Sequence, residues 1–150
     1  MELRYESANE RDVEILYAFN KELIDTYEDT ENIEYDKVLL WVRKKIEKNI
    51  NEYTRVTLDG KTVGYFYFHE AEGEREIDDL YVLPEYRGMG IGTEIIKKCI
   101  KESELPIFLW VFVKNTGAVK LYTKMGFKIE KKVRETRYIM RREKIQDQLS

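Results

Sequence analysis

The sequence predicts an α/β (α+β) fold in a single domain, a mixed and mainly antiparallel sheet with helices on its faces. Two helical apolar stripes precede three strand-like segments that are separated by Asp59-Gly60 and Glu72-Gly73. After Pro84 the pattern changes to glycine-rich turn, helix, apolar strand and helix, a β-α-β-α unit appended to a meander. The length, 150 residues with 43% apolar, suits one sizeable core and not two.

Each element has its own signal. Leu3-Arg4-Tyr5 reads as a short opening strand. Asn9 with Asp12 three residues on marks a helix start, and Val13, Leu16, Tyr17, Leu23, Ile24 and Tyr27 recur at helical spacing. From Thr26 to Asp36 the chain holds Glu28, Asp29, Glu31, Glu34 and Asp36 with no basic residue, an acidic loop before a second stripe of Tyr35, Val38, Leu39, Val42, Ile46 and Ile50. Tyr53 to Leu58 and Thr62 to His69 read as a hairpin about Asp59-Gly60, and Arg75 to Val82 as the third strand. Ile91, Ile95, Ile96, Cys99 and Ile100 line one face of the next helix. Ile107 to Val113 is apolar throughout, as a strand covered on both faces would be. Asn115 caps a helix holding Ala118, Leu121, Tyr122 and Met125, and Gly126 stops it. Phe127 to Glu130 and Val133 to Met140 make a closing pair of strands. The polar end from Arg141 reads as loose, with the domain drawn at 1–142 and a tail at 143–150.

Composition excludes several function classes. Twenty-six Lys and Arg against 29 Asp and Glu give a net charge of −3, without the basic excess that phosphate-backbone binding needs, so no nucleic-acid partner is expected. The longest apolar run, Ile107 to Val113, is far short of the about twenty residues of a membrane span. Met1 to Glu6 has no apolar signal region, and Cys99, the one cysteine, cannot form an internal disulfide, so a cytoplasmic location is expected. Cys99 falls on an apolar stripe and reads as core. With one histidine and one cysteine, no metal site is expected.

Chemistry concentrates in Arg87-Gly88-Met89-Gly90-Ile91-Gly92, where three of the eight glycines fall between a strand and a helix. Glycines let successive N–H groups approach a ligand, and a helix start adds unpaired donors and the positive end of its dipole. Such a loop suits an anion, phosphate above all; the competing reading is a tight turn. A P-loop would need lysine before Thr93, and a dinucleotide fingerprint would need its third glycine one residue later.

The pattern that fits is Arg/Gln-x-x-Gly-x-Gly/Ala, met by Arg87, Gly90 and Gly92, which resembles the pyrophosphate loop of the GNAT superfamily of N-acetyltransferases. Asn115, Ala118, Leu121, Tyr122, Gly126 and Phe127 resemble that superfamily's downstream Asn-x-x-Ala-x-x-Leu-Tyr-x-x-x-Gly-Phe element. The resemblance implies a GNAT-like sheet with a V-shaped splay between two central parallel strands, near Val82 and Phe112. It implies acetyl-CoA as donor, its pyrophosphate against Arg87, Gly88, Met89, Gly90, Ile91 and Gly92, with Thr93 completing the contact. The pantetheine arm would run along Leu80, Tyr81 and Val82, and Asn115 would hydrogen-bond the cofactor.

By the same resemblance Tyr122 points at the sulfur. A phenol with pKa near 10 can protonate a departing thiolate at neutral pH, while its other reading is packing on the sheet. The base has three candidates: Glu76, which matches the glutamate of the histone-acetylating branch, Asp78, and water. Asp78 shares strand parity with Glu76, Asp79 points the other way, and a two-residue Glu72-Gly73 turn places His69 opposite Glu76. Relatives that acetylate ribosomal-protein N-termini often carry glutamate in the strand before the Asn, where this chain has Trp110.

Direct transfer of acetyl to a small cationic amine, polyamine- or aminoglycoside-like, is therefore expected. Protein or peptide N-acetylation and non-catalytic acyl-CoA binding are the alternatives, and monomer or homodimer stays open. In this superfamily the connection between the first helices lies on the acceptor side. Here that connection places Tyr27, Glu28, Asp29 and Glu31 as acceptor-binding candidates, against the reading of a merely solvated acidic loop.

Overall fold

Turn chemistry and side-chain alternation shape the sheet seen in the computed structural model, which describes residues 1–144. Its strands are β1 (Leu3–Ser7), β2 (Thr54–Leu58), β3 (Lys61–Ala71), β4 (Glu74–Val82), β5 (Ile107–Phe112), β6 (Lys128–Val133) and β7 (Arg137–Arg142). They form one seven-stranded sheet in the order β1-β2-β3-β4-β5-β7-β6. Helices are α1 (Val13–Tyr27), α2 (Tyr35–Asn49), α3 (Ile91–Glu102) and α4 (Thr116–Lys124). No helix among the described residues is long and apolar enough to cross a membrane.

Both turns of the β2-β3-β4 meander use a residue pair with positive φ, Asp59 (+51°) with Gly60 (+78°) and Glu72 (+51°) with Gly73 (+82°), which matches the twist of the flanking strands. The Asn9 and Asp12 box forms, with the Asn9 N–H donating to Asp12 Oδ2 at 2.9 Å. It opens a short 3-10 turn, Glu10–Asp12, that leads into α1. The one parallel pairing, β4 with β5, joins Arg75 to Ile107 and Glu76 to Phe108, at the start of each strand; among the described residues no further pair follows.

Two compact units divide the chain, residues 1–67 with 79–89 and residues 68–78 with 90 onward, so that β3 and β4 run through both. In the first, α1 packs on α2, and Leu16, Ile46, Val56, Val63 and Tyr53 are buried. Register against β2 makes Val63 an extra residue, since Val56 pairs with Gly64 and Thr57 with Thr62. In the second unit Ile91, Ile95, Ile96 and Cys99 of α3 are buried, as are Ile107, Leu109, Phe127 and Met140.

Three expectations change. β5 is covered on one face only: Ile107, Leu109 and Val111 are buried, whereas Phe108 and Phe112 are half-buried and Trp110 is exposed. The apolar run conceals an ordinary alternation, because its outward positions are aromatic, and the exposed Trp110 ring has the Arg137 guanidinium 5.5 Å from its centre. The closing turn lies at Arg134 and Glu135, both with positive φ, rather than before Val133, so β6 runs to Val133 and β7 starts at Arg137. No glycine or asparagine marks that turn. Arg141 and Arg142 belong to β7 instead of a tail: Arg141 pairs with Glu130 and Glu74, and Arg142 Nε donates to the Met125 carbonyl. Of the expected tail, 145–150 lies outside the described residues.

Candidate functional site

The glycine loop follows a single 3-10 turn, Pro84–Tyr86, at the end of β4. Gly88 (φ +81°) and Gly90 (φ +85°) take left-handed backbone, and Gly90 is the N-cap of α3. Having no side chain, Gly90 cannot cap the helix as serine or asparagine would. The first helical bond runs from the Glu94 N–H to the Gly90 carbonyl, so the N–H groups of Ile91, Gly92 and Thr93 have no acceptor within the helix. Residues Arg87 to Gly90 are exposed. An added Cβ at Gly88 or Gly90 would meet no atom within 4 Å, so the left-handed backbone and not crowding requires these glycines, and the space beside them is open. Arg87 ties the loop back to β4, its Nε donating to the Val82 carbonyl at 3.0 Å and its guanidinium lying 5.9 Å from the Tyr81 ring.

Leu80, Tyr81 and Val82 precede this loop. Tyr81 is buried and stacks on Phe19 at 4.1 Å, and burial raises its phenol above the ordinary range. Its backbone is approached closely by Gly64, where a Cβ would lie 2.4 Å from the Tyr81 carbonyl oxygen. Only glycine fits there, a requirement that the strand pattern did not reveal.

The turn at Glu72-Gly73 brings His69 to Glu76 and Asp78. His69 Nε2 lies 3.4 Å from Glu76 Oε1 and 3.0 Å from Asp78 Oδ2, and the three side chains are 26%, 16% and 15% exposed. Asp79 takes the other face, where it is buried and accepts the Tyr53 phenol O–H at 2.6 Å. The parity expected of the strand is observed.

In the downstream element, Asn115 Oδ1 accepts the Ala118 N–H at 3.3 Å, so this side chain already has a capping task at the start of α4. Gly126 turns with φ +95°, and the Phe127 N–H then bonds the Tyr122 carbonyl at 3.0 Å. This brings the Phe127 ring edge-on to Tyr122 at 5.9 Å. The Gly-Phe pair therefore fixes the position of a Tyr122 that is only half-buried.

In the acidic segment two carboxylates accept hydrogen bonds from uncharged donors of the same segment. Glu28 Oε1 accepts the Asp29 N–H, and Asp29 accepts from Asn32. Tyr27 is half-buried and Glu31 exposed. A cleft of about 410 Å³ is lined by Asp25, Thr30 and Tyr35. Asp25 accepts from the Tyr35 hydroxyl at 2.6 Å and pairs with Lys21 at 2.8 Å, and these bonds hold its carboxyl below the usual range. Asp25 escaped the sequence reading because it falls within the last turns of α1; its i+4 spacing from Lys21 was the available signal.

The chain matches the model of the acetyltransferase (GNAT) family over residues 16–127. An uncharacterized N-acetyltransferase of Methanocaldococcus jannaschii is 34% identical over 104 residues, covering 62% of this chain and 44% of that protein. Mouse thialysine N-epsilon-acetyltransferase is 35% identical over 72 residues, covering 41% of this chain and 40% of the mouse protein. The chain thus spans less than half the length of these two relatives. A solved structure similar in fold is the PaiA N-acetyltransferase of Thermoplasma acidophilum in complex with coenzyme A. It has a TM-score of 0.69 at 21% identity and covers 95% of this chain and 99% of the other.

Proposed function

This chain belongs to the acetyltransferase (GNAT) family, and from that premise we propose that it transfers acetyl from acetyl-CoA to the nitrogen of a small cationic amine. The observation that carries the reading is the exposed loop Arg87 to Gly92, with two left-handed glycines running into an uncapped helix start. That is a cradle of N–H donors for a pyrophosphate. In it, Arg87, Gly88, Met89, Gly90, Ile91, Gly92 and Thr93 hold the donor, with the backbone of Leu80, Tyr81 and Val82 and the side chain of Asn115 as further contacts.

Acetyl-CoA supplies the thioester whose C–S bond breaks as the amine nitrogen bonds to the acetyl carbon. Glu76 accepts the proton that the amine loses, with Asp78 as the reserve. The ammonium sheds one proton to solvent before attack, Glu76 passes the second on to solvent, and Tyr122 donates its phenolic proton to the departing sulfur and regains one from solvent, so that one proton is released per turnover. A cationic acceptor is supported by the acidic segment Tyr27, Glu28, Asp29 and Glu31, a stretch without a basic residue. The family relative that acts on thialysine, according to its name, points the same way.

The test is a panel of amines with acetyl-CoA, in which polyamines and aminoglycosides should release thiol faster than peptides whose one cationic group is the α-amine. In parallel, Gly90→Val should weaken CoA binding at least tenfold in calorimetry. Its fold should survive at a cost of about 1–2 kcal/mol for a left-handed branched residue. Unchanged CoA affinity in that variant would remove the loop from the reading.

A further inference from the structure

We propose that His69, Glu76 and Asp78 form a binding site for one divalent transition-metal ion of the zinc class, and that filling it silences the transferase. The second half rests on Glu76 being the proton acceptor; the first half does not.

The hairpin presents three ligands of the right kind on one face. Its tight turn sets His69 on β3 across from Glu76 on β4, and two residues further Asp78 shares that face. One ligand atom from each lies within 4.8 Å of the others, with 3.4 Å and 3.0 Å from the imidazole Nε2 to the two carboxylates. Ligands at about 2.0–2.1 Å from a tetrahedral zinc ion stand about 3.4 Å apart, so an ion fits with small side-chain movements and no shift of either strand.

The second ring nitrogen adds an independent sign. His69 Nδ1 lies 3.2 Å from the Glu70 carbonyl oxygen, which can only accept, so Nδ1 carries the hydrogen. That is the outer contact that orients metal-binding imidazoles and leaves the other nitrogen's lone pair for the ion. On the Nε2 side the imidazole faces one oxygen of each carboxylate, at 3.4 Å and 3.0 Å. An imidazole donor favours zinc-class ions over magnesium or calcium, and two carboxylates match a double charge. Three protein ligands leave a fourth position open, as in an exchangeable site. A metal bound to Glu76 withdraws the lone pair that would take the amine's proton, which converts binding into inhibition.

The experiment titrates the full chain, stripped with chelator, with Co²⁺ and then displaces it with Zn²⁺. One equivalent of Co²⁺ should give the visible absorption of a tetrahedral site, and His69→Gln and Asp78→Asn should each weaken binding about tenfold or more. His69 is the chain's single histidine, so slowed modification by diethylpyrocarbonate in the presence of Zn²⁺ reports the same site in the unaltered protein. Binding of equal strength in folded His69→Gln, or no protection of His69, would overturn the site. Zn²⁺ should also suppress acetylated amine, measured by mass spectrometry, in the parent and not in His69→Gln. Binding without suppression would overturn the regulatory half. No product in chelator would refute the transferase reading and leave the metal site standing.

Discussion

Asp78 and Asp79 are consecutive in β4 and have opposite fates. Asp78 joins Glu76 at His69, half-buried and reachable by solvent. Asp79 is 9% exposed and takes the Tyr53 phenol at 2.6 Å, and Asp12, 5% exposed, takes the Tyr65 phenol at the same distance. A carboxylate held by a short, charge-assisted bond in a buried setting is an anchor, because losing it strands a phenol away from water. A carboxylate beside an imidazole and near solvent can exchange a proton or take an ion. One residue of strand register separates a structural role from a chemical one.

The largest expected effect breaks this comparison if it fails. Glu76→Gln keeps the shape and removes the proton-accepting charge, so kcat should drop a hundredfold or more, about 2.7 kcal/mol in the barrier. Its free energy of unfolding in urea should stay within about 0.5 kcal/mol of the parent, since the amide keeps the size and hydrogen-bonding capacity of the side chain. A stable rate with a lost midpoint would make Glu76 an anchor and move the base to Asp78 or water. Next in size, Asp79→Ala takes this acceptor from the buried Tyr53 O–H and should cost about 2 kcal/mol in urea unfolding, with Asp79→Asn recovering much of it. If Asp79→Ala were as stable as Asp78→Ala, the inward and outward faces would not differ as described.

Much of this division was legible because it depends on period and turn type. Two-residue periodicity placed Glu76 and Asp78 on one face and Asp79 on the other, and Glu72-Gly73 fixed the register that delivers His69. The Arg87 to Gly92 loop was legible because left-handed turns leave glycine in the sequence. What was hidden depends on distant contacts. Gly64 looks like any strand glycine until the Tyr81 carbonyl is found against it. Tyr53 and Tyr65 look like packing aromatics until their hydroxyls meet Asp79 and Asp12. The outward half of β5 was misread because Trp110 and its aromatic neighbours count as apolar wherever they sit, although they cover a solvent-facing surface as readily as a core. The turn at Arg134 and Glu135 left no trace, since the positive φ falls on residues that seldom adopt it.

The smallest effect sharpens the contrast through pH. Burial pushes the Cys99 thiol up to about 12, and burial with the Asp12 carboxylate raises the Tyr65 phenol. In the unfolded chain these groups titrate near 8.5 and 10. Above those values the unfolded chain releases protons that the folded chain keeps, so the folded state binds more protons and stability falls as pH rises, by up to about 1.4 kcal/mol per pH unit per group. The stabilisation is whole below about pH 8.5 and is lost towards the folded values. Cys99→Ala should move the onset of the decline from about pH 8.5 to about pH 10. Tyr65→Phe should make the part above pH 10 shallower, leaving the Cys99 slope, which continues towards about 12, and the contributions of Tyr81 and Tyr35, both raised. His69→Gln, on the outward face, should leave the whole alkaline limb in place. Urea unfolding at closely spaced pH values from 8 to 11 reads all three curves; alkaline limbs identical in parent and Tyr65→Phe would show that the inward phenol keeps no proton on folding, and the anchor role of its bond to Asp12 would go with it.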